Sequence, residues 1–422
     1  MEKITGKPKF KNEKFERLIR NILNKPTGEI TVEDMAKIEK IEEWGESVGD
    51  ISGIEYCSNL KLLRIKIESG SNNCMQTLRG MDSLRELHLS GNEIDISPVG
   101  DLTNLKLLNI GFDALNDISA LNGLSNLENL MIWQSGIGDI GVLKKLAGLK
   151  NLGIERSQVN DISPLCELVN LTNLSLPGNQ ITNISPVKNL TNLEVLDLCG
   201  NQISDTGPLK SLTNLKGLYL SMQPISDISA LSHLANLEWL TMNKCQIEDI
   251  IPLGVLANLT YLELTRNNIK DIAPLNKLCS LKNLLLNYNQ IEDITPLCRL
   301  ASLKQLGLSG NRIIDIAPLG ELVNLEHLAV DGNIIDDVAP IGKFTNLVSL
   351  HIDIHESHTG LDFLGGMINM KQLFIKQRGL SDISILSNLP NLVDLRLIET
   401  SVTDLSPVAH VKTVSVIGKD DQ

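Results

Sequence analysis

The stretch HIDIHESH places His351, Asp353 and His355 at alternate positions, a spacing that sets side chains on one face of an extended strand. Two imidazoles and a carboxylate are ligands suited to zinc or iron. His327 and Asp331 neighbour them from the preceding segment. Against a metal stands the position of His355, where the chain is already turning, and the lack of a shaped, water-excluding pocket on an open strand. No phosphate-cradling glycine loop, GxSxG elbow or HExxH pair occurs in the 422 residues. The expectation is therefore a protein without catalytic residues or cofactor. A metal-dependent site at His351, Asp353 and His355 is the alternative.

Aspartate recurs as Asp117, Asp139, Asp161, Asp205, Asp227, Asp249, Asp271, Asp293, Asp315, Asp337, Asp382 and Asp404, with Asn183 at the one exception. A calcium site needs several converging oxygens, and this row supplies one per segment. The row is expected instead to accept hydrogen bonds from turn N–H groups. The seven cysteines form no CxxC pair, which suits a reducing compartment. Cys166 and Cys298 precede core leucines and Cys245 replaces a recurrent asparagine, so these thiols are expected to be small buried hydrophobes.

The residue types that dominate binding interfaces are also unevenly placed. Trp133, Tyr219, Trp239, Tyr261 and Tyr288 fall between or just after strand leucines, where side chains face outward, with Leu285, Glu263 and Arg266 among them. Trp239 and Tyr261 share one slot in successive segments and are expected to be neighbours about 5 Å apart, as a stacked pair. Gly153, Ser175, Gly307 and Ala329 take a slot that Tyr219 and Leu285 fill elsewhere, which predicts hollows beside the aromatics. This surface is the predicted docking site for a protein. A spacer without a specific ligand is a further alternative.

The elements that position these residues follow from a period. Leu105, Leu127, Leu149, Leu171, Leu193, Leu215, Leu237, Leu259, Leu281, Leu303, Leu325 and Leu347 recur every 22 residues. Fixed self-similarity of this length marks a solenoid. Each unit reads LxxLxLxxNxIxDIxPLxxLxN. Its first third alternates apolar and polar residues, as in Leu306 and Leu308 against Gln305, Gly307 and Ser309, the pattern of a strand with one buried face. Asn179, Asn201, Asn267, Asn289, Asn311 and Asn333 are predicted to form an internal ladder. Prolines such as Pro164, Pro186, Pro274, Pro296 and Pro318 suit the first position of a short helical turn. The expected fold is an α/β repeat solenoid, curved and right-handed, with a concave parallel sheet and 3-10 turns on the convex side. About sixteen repeats start at Leu60. Three are irregular in length and are expected to bulge in the loops while the strands stay aligned.

Residues 1–55 read as a helical cap over the first repeat. Phe15, Leu18, Ile19, Ile22 and Leu23 form a helical stripe, and Thr31 to Asp34 resembles a capping box opening a second helix through Met35, Ile38 and Ile41. The solenoid is expected over 56–410, and 411–422 as a last strand and polar tail. A net charge of -13 disfavours nucleic acid and anionic membranes as partners. Neither a signal-type apolar core nor a run long enough for a membrane span is present. A cytoplasmic monomer is expected from the chain as read.

The NxIxDIxPL consensus, with FKNEKFERLIRNILN and ITVEDMAKIEKIEE before it, resembles the internalin-type, 22-residue class of bacterial leucine-rich-repeat proteins. The resemblance covers nearly the whole chain. It implies a curved protein-binding scaffold with a helical cap, which in several members recognises host-cell surface proteins through concave aromatic residues. The immunoglobulin-like module and wall-sorting tail usual in internalins are not seen. Secretion or surface display is implied only if the resemblance extends to export. A weaker similarity is to eukaryotic phosphatase-regulating proteins with 22-residue repeats.

Overall fold

The computed structural model describes residues 7–68, 72–91, 95–356, 358 and 360–418, the side chains of 72–74 excepted. The acidic end Lys419–Gln422, Ser69 to Ser71 of the SGSNNCMQ insertion and the Cys74 side chain lie outside the described residues. The chain divides into two compact units, Met1–Ile203 and Ser204–Gln422.

In the first unit, α1 (Glu13–Ile22) is capped by Asn12, whose side chain accepts from the Phe15 N–H. Phe15 and Ile19 are buried, while Ile22 is 39% exposed, so only the inner part of the predicted stripe packs. The capping box at Thr31 and Asp34 is present, but α2 (Val32–Ala36) is one turn long. Ile41 does not continue it. Residues Lys40–Val48 form a strand parallel to Leu62–Ile67, with Ile41 buried beside Leu63. Pairing satisfies the backbone groups of the Leu62–Ile67 strand that would otherwise form an open edge. The segment expected to be wholly helical thus contributes a strand.

From there the first unit continues as parallel strands paired in sequence order, ending at Asn173–Ser175 and Val195–Asp197. The second unit repeats the plan from Gly217–Tyr219 to Thr413–Ile417, each strand pairing with the next in register. The predicted last strand is therefore present. Between strands run 3-10 turns of about one and a half turns, such as Ser163–Glu167 and Ala317–Glu321, with proline at the start. Leu306, Leu308, Leu319, Leu322 and Leu325 are each at most 1% exposed. Each fully buried leucine contributes about 1.5–3 kcal/mol. The irregular repeat after Leu347 keeps Leu350 opposite Leu373, so its extra residue is absorbed outside the sheet.

The asparagine ladder forms as predicted. Asn289 accepts from Ile269 N–H at 3.1 Å and donates to the carbonyls of Leu264 and Leu286 at 3.0 Å each. Asn179, Asn201, Asn267, Asn311 and Asn333 repeat this arrangement. Cys245 occupies the same slot, its thiol donating to the Leu220 and Asn243 carbonyls. The residue in this slot also sets strand length. Where it is asparagine the strand has 3 residues; where it is Ser135, Ser157, Arg378 or Thr400 the strand has 5. A side chain that donates to the carbonyls around the strand end draws the chain into its turn, and the strand before Cys245, whose thiol does so, also has 3 residues.

A second ladder was not foreseen. The asparagine closing the repeat donates to the preceding repeat's turn, as in Asn258 to Ala235 O (3.0 Å) and Asn324 to Ala301 O (3.0 Å). The aspartate row behaves as expected: Asp227 Oδ1 accepts from Ser229 N–H at 2.8 Å and Asp271 Oδ1 from Ala273 N–H at 2.8 Å, with Asn183 doing the same for Ser185. Burial of the cysteines is less general than expected. Cys57 and Cys245 are buried, but Cys166 is intermediate and Cys279 and Cys298 are exposed, because their slots lie on or beside the outer side of the turns.

Two outcomes follow. Asn289→Ala leaves three buried backbone groups unpaired and is expected to cost about 2–4 kcal/mol, with faster hydrogen exchange at the Ile269 amide, whereas Asn324→Ala at the exposed rim costs about 0.5–1 kcal/mol. The hydrogen bonds from Ser229, Ser384 and Ser406 lower the pKa values of Asp227, Asp382 and Asp404. A lowered folded-state pKa stabilises above the unfolded value near 4, and that contribution is lost as pH falls through the folded value. Thermal midpoints should be flat from about pH 7 to 5 and drop below about 4. At pH 7 Asp227→Ala should lower the midpoint and Asp227→Asn should preserve it.

Candidate functional site

Outward-facing positions of the second unit form rows across the strands. The first row runs Gly217, Trp239, Tyr261, Asn283 and Gln305, and the next runs Tyr219, Thr241, Glu263, Leu285 and Gly307. Alternation along each strand buries the leucines and leaves these residues on the other face. The structure therefore brings together Tyr219, Trp239, Tyr261, Glu263 and Leu285. Trp133 ends the strand Asn129–Trp133 in the first unit, where its indole covers the Cα of Gly111.

Trp239 is 43% exposed. Although Trp239 and Tyr261 are register partners, their rings do not stack as expected. The Tyr261 hydroxyl leans along its own strand and donates to Glu263 Oε2 at 3.1 Å. Burial, reinforced by the Glu263 carboxylate, pushes the Tyr261 pKa up to about 12. The patch thus presents an exposed indole beside a phenol that stays neutral and fixed.

Arg266 and Tyr288 lie beyond the strands, in the left-handed backbone region at φ 60 and 56. They belong to a row that includes Met222, Lys244, Gly310 and Gly332, all with positive φ. Glycine at several of these positions was the available sequence signal for that geometry. The Tyr288 ring covers Gly310, where an added Cβ would lie 2.5 Å from the ring. The Arg266 guanidinium sits 5.2 Å from the Tyr288 ring centroid, a cation–π contact.

The predicted hollows are filled at two positions. Gly307 is occupied by the Asn287 amide and a Leu285 methyl, and Gly153 by the Met131 thioether. Neighbouring long side chains close over the missing Cβ because apolar surface is better covered than wetted.

The histidine segment resolves differently from a ligand set. His351 packs against Phe374 at 4.0 Å between centroids, and Arg396 lies 4.7 Å from the centroid of the same ring. Burial lowers the His351 pKa. Asp353 accepts from the Gly332 N–H at 2.8 Å, and burial raises its pKa. Among the described residues no group of three His, Cys, Asp or Glu side chains is arranged to hold a metal ion. His351, Asp353 and His355 are not gathered into one site. Phe374 and Arg396, which the sequence reading passed over, are the residues that His351 engages or shares a ring with. Their shared register, Ala329 to His351 to Phe374 to Arg396, was the missed signal.

Comparison with known proteins agrees with this architecture. Leucine Rich repeats (2 copies) match residues 169–211, 191–233, 257–299 and 279–321, and a Leucine Rich Repeat matches 83–112. An internalin, InlF, from Listeria monocytogenes is 27% identical over 99% of this chain and 98% of its own, with a TM-score of 0.59. The chain carries leucine-rich repeats and is similar to this internalin over nearly its whole length. A leucine-rich-repeat protein of Leptospira interrogans shares the fold at 21% identity and a TM-score of 0.72, over 90% of this chain and 97% of its own. The functional domain of InlJ from Listeria monocytogenes shares it at 19% identity and a TM-score of 0.62, over 84% and 82%. No curated protein matches the chain. Leucine-rich-repeat proteins are generally interaction scaffolds, and among the described residues of this chain no helix is long and apolar enough to cross a membrane.

Difference spectroscopy of the phenols tests the local electrostatics. The Tyr261 contribution, isolated by subtracting Tyr261→Phe, should titrate near 12, and Glu263→Gln should move it toward the ordinary value of about 10. Titration of Tyr261 at the ordinary value in the unaltered chain would contradict the assigned hydrogen bond.

Proposed function

We propose that this chain is a non-enzymatic scaffold that binds a protein partner on the outward face of the strands in residues 204–422. The observation carrying this reading is Trp239, 43% exposed in the middle of a sheet row with Tyr261 as its register partner. An exposed indole flanked by Tyr219, Tyr261, Leu285 and Tyr288 has the composition of an interface hot spot. Leaving such a surface in water is unfavourable unless a partner covers it. Glu263 and Arg266 add polar contacts whose positions are already fixed by Tyr261 and Tyr288, which reduces the ordering cost of association.

A protein suits the patch better than nucleic acid. The net charge of -13 opposes a phosphate backbone. Replacement of Trp239 and Tyr261 together by Ala should abolish saturable capture of a protein from the native cell while shifting the thermal midpoint by only a few degrees. Undiminished capture by the double variant would remove this surface from consideration.

A further inference from the structure

The charges around the aromatic patch narrow the partner's chemistry, an inference that rests on the binding reading above. Along the strands several cations are matched by carboxylates, while Lys66, Arg156 and Lys371 stand singly without an ion pair among the described residues. Lys106 and Lys150 share Glu128, Lys304 meets Glu326 at 2.6 Å, and Lys376 and Arg378 converge on Glu399. Beside the patch three cations without a carboxylate partner come together. Lys244 and Lys282 are exposed and make no ion pair among the described residues. Arg266 rests on the Tyr288 ring instead of a carboxylate. Of the acids present, Glu263 is engaged by the Tyr261 hydroxyl, and Glu238 remains on the rim beside Trp239.

These three cations bracket the aromatics along the strand direction. Lys282 immediately precedes the strand Asn283–Leu285, and Lys244 and Arg266 follow the strands Trp239–Thr241 and Tyr261–Glu263. The two ends are six residues apart along the repeat, about 20 Å at the rise of an extended chain. A partner covering Trp239 would draw the cations partly out of water, which is unfavourable without counter-charges. Carboxylates at both ends of the covering segment meet that need.

We infer that the docking element is an acidic segment with one aromatic or aliphatic anchor. The anchor rests on Trp239 and Tyr261, and carboxylates on either side reach Lys282 at one end and Lys244 with Arg266 at the other. In an extended segment the flanking acids stand about six residues apart. Because the whole chain is acidic, attraction acts at contact more than at a distance, so charge sets specificity here.

A displayed library of random twelve-residue peptides, selected on the full chain, tests this directly. Enriched peptides should carry Asp or Glu on both sides of a Trp, Phe or Leu and should fail to bind Trp239→Ala/Tyr261→Ala. Lys244→Glu/Arg266→Glu should weaken them at least tenfold, and peptides with Lys in place of the acids on that side should regain binding to that variant. Peptides that need the aromatics but show no acidic enrichment, or that ignore the charge reversal, overturn the inference and leave the binding surface standing. Peptides indifferent to loss of Trp239 and Tyr261 overturn the surface as well. A selection that enriches nothing overturns the inference that a short acidic segment suffices.

Discussion

Everything in the regular repeats depends on one side-chain amide. When the chain leaves a strand, it strands backbone groups in an interior without water, and an unpaired buried group costs about 1–3 kcal/mol. Asn289 resolves this by bonding Ile269 N–H, Leu264 O and Leu286 O together. Two of these groups belong to the preceding repeat. The amide therefore ends its own strand and ties it to its neighbour at the same time, and the leucines behind it are sealed against solvent. Short strands and tight turns are the consequence, and they leave the outward face a series of narrow rows on which single side chains stand clear.

Much of this was legible because it repeats. Leucine spacing fixes which face is buried, proline marks the turn start, and Asn or Asp at constant offsets signals bonds to backbone, so strands, turns and both polar rows could be read from residues 105–347. The closing asparagine, Asn258 or Asn324, recurs equally well, yet its bond to the preceding turn is set by three-dimensional neighbours 23 residues away. The cap was harder. Met35, Ile38 and Ile41 fit a helical period, but Ile41 is taken by a strand because the open edge of Leu62–Ile67 recruits it. Tertiary pairing outweighed local pattern there.

Side-chain direction on the open face was the least legible part. Register alone placed Tyr261 beside Trp239, but a carboxylate two residues on turned the phenol along its strand. Small residues suggested hollows that Leu285, Asn287 and Met131 fill. His351 looked like a ligand and proved to be half of a ring contact with Phe374. In each instance the residue's type was informative and its partner was not, since that partner lies one repeat away or on the same strand face. What survives is an interface-like cluster in which Trp239 and Tyr288 stand most exposed.

Hydroxyl-radical footprinting of the chain, free and with its captured protein partner, measures the central claim most directly. The binding account predicts strong protection of Trp239 and Tyr261 with little change at Trp44, which is 46% exposed in the first unit. Protection of Trp44 with Trp239 as reactive as in the free chain would contradict it.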